Sequence, residues 1–303
     1  MNFTYQNHLT YSINSEKFGY RKSPIDKYLV SVGSIDKDHY RTSSYQNELT
    51  RTADLVYQDY GKDFALFLSG GTDSEIVARN FLSIGIKPIC YTIKFKDDYN
   101  LPDVNEAIDL AKELDLPLHI IDFDVKDFLY SGQASEFGGQ LQCTQITYLI
   151  VYHSILKIGM PAVMGGELLL RRNIGTDPSS WYYCLRENED GSAMRFTDKY
   201  KLPLVNEWFS YTPELMLYYL EYPDIQTLVT TKYNYKLSSV TSKNGILKKL
   251  VPNIRVRKKT HGFEKLLGFN FEAYRQLIHE QIMRLEPSLD GIEYYDIVNR
   301  LRG

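Results

Sequence analysis

The feature that most constrains the fold of this chain is a short polar loop between an apolar run and a helical pattern. Residues 64–68, FALFL, form a continuous apolar segment, which is typical of a strand buried on both faces of a parallel sheet. The sequence SGGTDS, residues 69–74, follows at once, and apolar side chains then recur at helical spacing from Val77 to Leu82. The stretch therefore predicts a strand, a tight polar turn, which we call the SGGTDS loop, and a helix.

The alternation of strand and helix continues beyond this loop. Further strands are predicted at residues 88–95, 118–122 and 161–167, and they are separated by helical patterns at residues 101–117 and 143–159. Strands joined through helices of this length form right-handed βαβ units. The sequence therefore predicts an α/β fold with a parallel sheet.

The composition and the pattern of apolar residues change twice along the sequence, which divides the chain into three parts. Residues 1–60 are polar and rich in tyrosine, with one predicted strand in KYLVSVGSI, and they indicate a short N-terminal extension packed onto the rest. Residues 61–172 are predicted to form the α/β core, and residues 173–303 a hairpin insertion and a mainly helical C-terminal lobe. Within that last part the sequence predicts a loop at 173–180, a hairpin across Asp190-Gly191, a helix capped by Thr212 and a helix at 239–250.

The amino-acid composition disfavours several classes of protein. The 303 residues carry 35 Lys and Arg against 38 Asp and Glu, so no strong basic field favours nucleic acid as the partner. No apolar window approaches the roughly 18 to 20 residues of a membrane span, and we expect a soluble protein. Cys90, Cys143 and Cys184 are widely spaced without a CxxC pair, which disfavours a disulfide framework and a zinc ribbon and fits a reducing cytoplasm.

The residue types of the SGGTDS loop favour a bound anion. In an open parallel sheet, ligands bind beyond the carboxyl ends of the strands, where this loop is predicted to lie. Gly70 and Gly71 allow the backbone to approach a ligand, and the following helix directs its N–H groups toward it. Ser69 and Ser74 add hydroxyl donors, whereas Asp73 would repel a phosphate unless Mg²⁺ lay between them. The pattern therefore indicates a nucleotide bound together with Mg²⁺.

A simpler interpretation is a tight turn in which Thr72 or Asp73 caps the helix. Such a turn does not require both serines and the acid in addition to the glycines. The chain contains no GxxxxGK[ST] and no GxGxxG sequence, so neither the Walker pattern nor the dinucleotide-binding pattern explains the loop.

The SGGTDS loop resembles the SGGxDS pyrophosphate loop of the adenine-nucleotide α-hydrolase superfamily, the PP-loop ATP pyrophosphatases, whose members cleave ATP between the α and β phosphates. Two further segments resemble the C-terminal synthetase domain of asparagine synthetase: YLIVYHSILKIGMPAVMGGE, residues 148–167, and SKNGILKKLVPNIRVRKKTHGFE, residues 242–264. The resemblance covers about residues 55–270. It implies a ligase that adenylates a small carboxylate with ATP, releases pyrophosphate and lets ammonia or an amine attack the acyl-adenylate.

The resemblance also implies roles for individual residues. The β and γ phosphates of ATP would be held by Ser69, Gly70, Gly71, Thr72 and Ser74, with Asp73 coordinating Mg²⁺. The adenine would face the strand end that contains Thr92 and Ile93, and Gly166 would complete the cofactor site. Glu167 would handle the attacking amine or the metal, and Lys259 would stabilise negative charge as the adenylate forms or collapses.

The chain departs from the asparagine synthetase pattern in two places near these residues. The family motif RxKxGF is one residue longer here, so that either Lys258 or Lys259 matches its lysine. The family's Asp-Glu pair after the glycine loop is replaced by Leu168-Leu169-Leu170 and two arginines. The protein would then use one metal, recruit another acid such as Asp97 or Asp98, or carry out a changed chemistry.

The source of nitrogen and the substrate class have alternatives. Asn2 stands where glutamine-dependent relatives have a nucleophilic cysteine, so ammonia, a substrate amine or a separate amidotransferase is expected to supply nitrogen. One alternative is a tRNA- or nucleobase-modifying enzyme of the same superfamily, of the thiolation, lysidine or deazaguanine type. For thiolation, Cys143 is the candidate sulfur carrier by position, although a buried apolar role suits it better. Another alternative is a nucleotide-binding module that has lost catalysis.

Overall fold

A computed structural model gives the arrangement of most of the chain. It describes residues 8–23, 25–166, 170–172, 181–184, 190–230, 246–251, 253–255 and 291–303. The strands are β1 (Leu9–Ile13), β2 (Glu16–Lys17), β3 (Tyr28–Val32), β4 (Ala65–Phe67), β5 (Ile89–Phe95), β6 (Leu118–Phe123), β7 (Ala162–Val163), β8 (Leu170–Arg172), β9 (Trp181–Cys184), β10 (Leu204–Val205) and β11 (Gly291–Glu293). The helices are α1 (Lys37–Thr42), α2 (Tyr45–Tyr60), α3 (Thr72–Ser83), α4 (Leu101–Glu113), α5 (Val125–Tyr130), α6 (Gln133–Leu141), α7 (Ile146–Ile158), α8 (Ser192–Tyr200), α9 (Pro213–Leu220), α10 (Pro223–Thr230) and α11 (Tyr294–Arg302).

The central sheet confirms the predicted fold class. In the described residues it has five strands in the order β10-β7-β4-β5-β6, and every neighbouring pair is parallel. From β4 the chain moves outward through β5 to β6, and it then returns to place β7 on the other side of β4. The strand order therefore reverses between β4 and β7, which is the position where open α/β sheets bind ligands.

The continuous apolar run at residues 64–68 is explained by burial of β4 on both faces. Leu66 and Leu68 pack into a core formed with α2, α3 and α9, whereas Ala65 and Phe67 pack into a second core formed with α7 and α8. All four side chains are 8% exposed or less. The SGGTDS loop is thus anchored on a strand that has little freedom to move.

The N-terminal residues contain more regular structure than their sequence predicts. The predicted strand in KYLVSVGSI is confirmed as β3, but β3 also pairs with β1 in an antiparallel sheet of the order β2-β1-β3. The helix α2 follows, and its buried Leu49, Ala53 and Val56 recur at helical spacing. Because these residues join the same core as β4, the N-terminal extension packs directly against the α/β unit.

The hairpin predicted across Asp190-Gly191 is wrong. Gly191 is instead the N-cap of α8, whose Ala193 and Phe196 pack into the core beside α7. The apolar spacing of α8 therefore outweighs the Asp-Gly turn signal, and β9 pairs with β8 and β11 in a small antiparallel sheet.

The Thr212 cap is confirmed, since its side chain accepts a hydrogen bond from the Leu215 N–H. The predicted loop at 173–180 lies outside the described residues, as does most of the predicted helix at 239–250, of which residues 246–250 are helical.

Candidate functional site

An open cavity of about 370 Å³ lies at the carboxyl ends of the strands, where the order of the sheet reverses. Its wall is formed by the ends of β4, β5 and β7 and by the first turns of α3, α4 and α7. The lining residues predicted from sequence are Ser69, Asp73, Ser74, Thr92, Ile93 and Gly166. The structure therefore brings together, around one cavity, residues that the sequence assigns separately to the phosphates, the metal and the adenine.

The SGGTDS loop is held by hydrogen bonds between its own residues. The Ser74 hydroxyl accepts the Ser69 N–H over 3.2 Å and donates to the Gly71 carbonyl over 3.0 Å. The Ser74 side chain is buried, whereas Ser69 is exposed and its Oγ lies 3.2 Å from the Ser74 Oγ. The Ser74 hydroxyl is therefore enclosed by the turn, whereas the Ser69 hydroxyl accepts the Gly71 N–H over 3.4 Å and is also accessible to a ligand.

The start of α3 does not follow the simple capping interpretation. Gly71 is the N-cap, and in the described part of the chain no side chain caps this helix. Thr72, which that interpretation places at the cap, instead donates its hydroxyl to the Arg255 carbonyl over 3.2 Å. The first turn of α3 is therefore capped by no side chain, and it borders the cavity through Asp73 and Ser74. This arrangement suits an anion, because the N–H groups at a helix N-terminus carry partial positive charge.

Two glycines set the shape of the loop through close contacts. Gly70 has a φ of +70°, and a Cβ there would lie 2.7 Å from the Ala107 backbone nitrogen in α4. A Cβ on Gly165, at the end of β7, would lie 2.8 Å from the Cβ of Asp73. The loop therefore fits between α4 and the end of β7 only because side chains are absent at both positions.

The side of the cavity that the resemblance assigns to the adenine lies at the end of β5. Thr92 is buried, and Tyr91 and Ile93 are half-buried and line the cavity. Asn100 fixes the turn that follows, because its amide donates to the Ile93 carbonyl and its carbonyl oxygen accepts the Phe95 N–H, each over 2.8 Å. From the facing side, α7 contributes Tyr148 and other side chains of its first turns to the lining. An aromatic and aliphatic slot with backbone groups at its edge is suited to a nucleobase.

The acidic side chains of the cavity fit a magnesium ion that is shared with phosphates. Asp73 lines the cavity from α3, and Asp103 lines it from the first turn of α4. In the described residues no group of three or more His, Cys, Asp or Glu side chains could form a metal site by itself. Mg²⁺ is commonly bound by one or two carboxylates together with substrate phosphates, so this donor set fits it. Asp97 and Asp98 do not line the cavity and instead pair with Lys126 and Lys94.

Three predicted catalytic candidates, Glu167, Lys258 and Lys259, lie outside the described residues. Conversely, the sequence interpretation missed Asp103, Asn100, Gly165 and Tyr148, which line the cavity. Asp103 could have been recognised as a site residue from the sequence, because it lies in the first turn of a predicted helix that follows a strand. Tyr148 had no such signal, because an aromatic residue near the start of an apolar helix is indistinguishable from a core residue.

Cys90 and Cys143, whose side chains the structure describes, lack the surroundings of a sulfur carrier. Cys143 is fully buried in the apolar core beside α7. Burial also raises the pKa of the Cys90 thiol to about 12. A sulfur-transferring cysteine requires an accessible thiolate, so these two thiols are placed as structural residues.

Comparisons with known proteins show only distant similarities. No family model matches the sequence, and no curated protein matches it. Among solved structures, NMN synthetase from Francisella tularensis is 18% identical, with 78% of this chain and 94% of that chain covered at a TM-score of 0.33. The NH3-dependent NAD synthetase from Campylobacter jejuni is 13% identical, with 81% of this chain and 93% of that chain covered at a TM-score of 0.34. A predicted subunit of tRNA methyltransferase from Methanocaldococcus jannaschii is 14% identical, with 77% of this chain and 93% of that chain covered at a TM-score of 0.32. At such TM-scores these similarities do not establish a family or a function.

None of the described helices is both long and apolar enough to cross a bilayer.

Proposed function

We propose that this protein is an ATP-dependent, AMP-forming synthetase that adenylates a small carboxylate and joins it to ammonia or an amine. The observation that carries this proposal is the position of the SGGTDS loop. The loop joins β4 to the first turn of α3, lines a cavity at the point where the strand order reverses, and is packed against the glycine end of β7. Those features match the physical requirements of a site for a nucleotide polyphosphate.

The lining residues suggest how ATP would bind. Its β and γ phosphates would lie against the SGGTDS loop, where Ser69 offers an exposed hydroxyl and α3 offers its N-terminal N–H groups. The adenine would lie against Thr92 and Ile93 at the end of β5. The α phosphate would then lie between the loop and the end of β5, where a carboxylate oxygen would attack it and pyrophosphate would leave on the loop.

Asp73 and Asp103 would hold Mg²⁺ between the protein and the phosphates. Bound Mg²⁺ would neutralise negative charge on the phosphates and on the leaving pyrophosphate. Asp73 would orient the bound metal. Without the metal, the Asp73 carboxylate would repel the phosphates of ATP, so nucleotide binding would depend on Mg²⁺. Glu167, which follows the cavity residue Gly166 in the sequence, remains the proposed group for the amine or the metal.

The proposed catalytic lysine is Lys258 or Lys259, which would stabilise the charge that develops as the adenylate forms. Arg255, three positions before Lys258, is bound through its backbone to the first turn of α3. That contact supports the proposal, because it ties the segment leading to both lysines to the same turn that carries Asp73.

A screen for pyrophosphate release tests the proposed function. The purified protein would be incubated with ATP and Mg²⁺ against a panel of small carboxylic acids that includes aspartate, with ammonium or simple amines, and separately with tRNA. Release that depends on an acid and an amine is the expected result. Release that requires tRNA would replace the proposal with a tRNA-modifying activity, and ATP binding without release under all conditions would replace it with a nucleotide-binding module.

A further inference from the structure

The carboxamide of Asn100 occupies backbone groups at the end of β5. Its Nδ2 donates to the Ile93 carbonyl and its Oδ1 accepts the Phe95 N–H, each over 2.8 Å. Asn100 is buried, and it lines the cavity together with Ile93 and Phe95. Two backbone groups at the border of the cavity are therefore taken by a side chain of the protein, and a ligand does not have access to them.

These backbone groups lie on the edge of β5 that faces β4. Successive residues of a strand direct their N–H and C=O groups to opposite edges of the strand. The Tyr91 carbonyl accepts the Leu68 N–H at the end of β4, whereas the Cys90 N–H donates to the Pro117 carbonyl beside β6. Ile93 follows Tyr91 by two residues and therefore directs both of its backbone groups to the β4 side, where β4 has ended and the cavity begins.

The N–H group of Ile93 is left open between the last contact with β4 and the Asn100 carboxamide. Among the residues that the structure describes, no group accepts a hydrogen bond from this N–H. Ile93 is half-buried and lines the cavity. Backbone N–H groups away from solvent are rarely left unpaired, because an unmade hydrogen bond costs free energy. The end of β5 therefore offers a ligand one donor, while the neighbouring acceptor is already occupied.

We propose that Asn100 is a specificity-determining residue, which makes the site recognise a hydrogen-bond acceptor on the nucleobase and ignore its amino group. The inference rests on the proposed function, because it takes the adenine of ATP to lie at the end of β5. The Ile93 N–H would donate to N1 of adenine. Guanine carries an N1–H at the same position, so two donors would face each other. The 6-amino group of adenine would find the Ile93 carbonyl already bonded to Asn100.

The first test compares nucleotide analogues on the parent protein by calorimetric titration with Mg²⁺ present. 1-Deaza-ATP, in which a C–H group replaces N1, and GTP should each bind about 10-fold or more weakly than ATP, because the Ile93 N–H would find no acceptor. Purine riboside triphosphate keeps N1 and lacks the 6-amino group, and it should bind within about 3-fold of ATP. A larger loss for purine riboside triphosphate would overturn the inference, since an acceptor elsewhere in the cavity would then recognise the amino group. Equal binding of ATP and 1-deaza-ATP would also overturn it.

The second test asks whether Asn100 sets this preference. Asn100→Ala releases the Ile93 carbonyl, which could then accept from the 6-amino group, so the preference for ATP over purine riboside triphosphate should rise by about 5-fold. The control is Gln142→Ala, because the Gln142 carboxamide likewise bonds the N–H and the C=O of one residue, Arg21, over 3.0 and 2.9 Å, and it does not line the cavity. That variant should leave the preference unchanged. An unchanged preference in Asn100→Ala, or the same rise in both variants, would overturn the inference.

These binding measurements separate the inference from the proposed function, because they require no turnover. A parent protein that shows the expected preference among analogues but releases no pyrophosphate with any acid would refute the synthetase proposal and support the role of Asn100. A parent that releases pyrophosphate from ATP but binds 1-deaza-ATP equally well would refute only the inference. If no nucleotide binds, both are refuted. Should Asn100→Ala fail to fold, the analogue series on the parent decides the inference by itself.

Discussion

The hydroxyl oxygens of Ser69 and Ser74 lie 3.2 Å apart, with Ser69 exposed and Ser74 only 3% exposed. Ser74→Ala should therefore lower the free energy of unfolding by about 1–3 kcal/mol, because the Ser69 N–H and the Gly71 carbonyl lose their partner. Ser69→Ala should leave stability within about 0.5 kcal/mol and weaken ATP binding instead. Urea unfolding and calorimetric titration on both variants would check this division, and equal losses of stability would contradict it.

Gly70 and Gly85 form a matched pair for testing the contact between the SGGTDS loop and α4. Both have positive φ, +70° and +78°, but a Cβ on Gly70 would lie 2.7 Å from the Ala107 nitrogen, whereas a Cβ on Gly85 would meet nothing within 4 Å. Gly85→Ala should cost only the left-handed backbone, about 1–2 kcal/mol. Gly70→Ala should cost about 1–3 kcal/mol more, because backbone atoms must move. Similar unfolding free energies for the two variants would show that the loop is not packed against α4 as described.

His8 should make the stability of the protein depend on pH. Burial lowers the pKa of His8 from 6.5 to about 4, so the folded state disfavours its protonation. The unfolded chain therefore binds the proton more readily, and the free energy of unfolding should fall as pH is lowered from 6.5 toward 4. In His8→Gln this part of the decline should disappear, as measured by urea unfolding at a series of pH values. A pH profile identical to that of the parent would refute the assignment.

Variants at Lys258 and Lys259 should identify which of the two, if either, is the proposed catalytic lysine. An interaction made only in the transition state lowers kcat without a matching change in substrate binding. Lys259→Ala should therefore retain ATP affinity and lose turnover by about 10²-fold or more, with Lys258→Ala as the control for the one-residue ambiguity. Loss only in Lys258→Ala would move the assignment by one residue. Full activity in both variants would remove the support that the C-terminal segment gives to the synthetase proposal.

The sequence predicted the central sheet well where burial leaves a strong pattern. The apolar run at 64–68 has no alternation because β4 is buried on both faces. Likewise, the helix predicted at 143–159 is observed as α7, Ile146–Ile158, and it is closed by Gly159, whose φ of +71° is accessible to glycine. In contrast, β10 has two residues, too few to produce a periodic signal, and its place beside β7 depends on contacts distant in sequence.

The site was predictable to the extent that its chemistry lies in one continuous segment. The SGGTDS loop was assigned from its local sequence and the end of β5 from the resemblance, and residues of both line the cavity. Asp103 lines the same cavity from α4. Its place there could be predicted only once the order of the strands was known. The link from Thr72 to Arg255 spans 183 positions along the chain, and a lone threonine in a loop gives no sign of such a partner.

The central claim is that the SGGTDS loop holds ATP for cleavage between the α and β phosphates. It is tested most directly by ³¹P NMR of the products formed from ATP with Mg²⁺ and the acid and amine that give the highest turnover, with Asp73→Asn as the control. We expect AMP and pyrophosphate in equal amounts from the parent, and neither product from Asp73→Asn, together with loss of its metal-dependent ATP binding. ADP and orthophosphate as the primary products of the parent would contradict the claim.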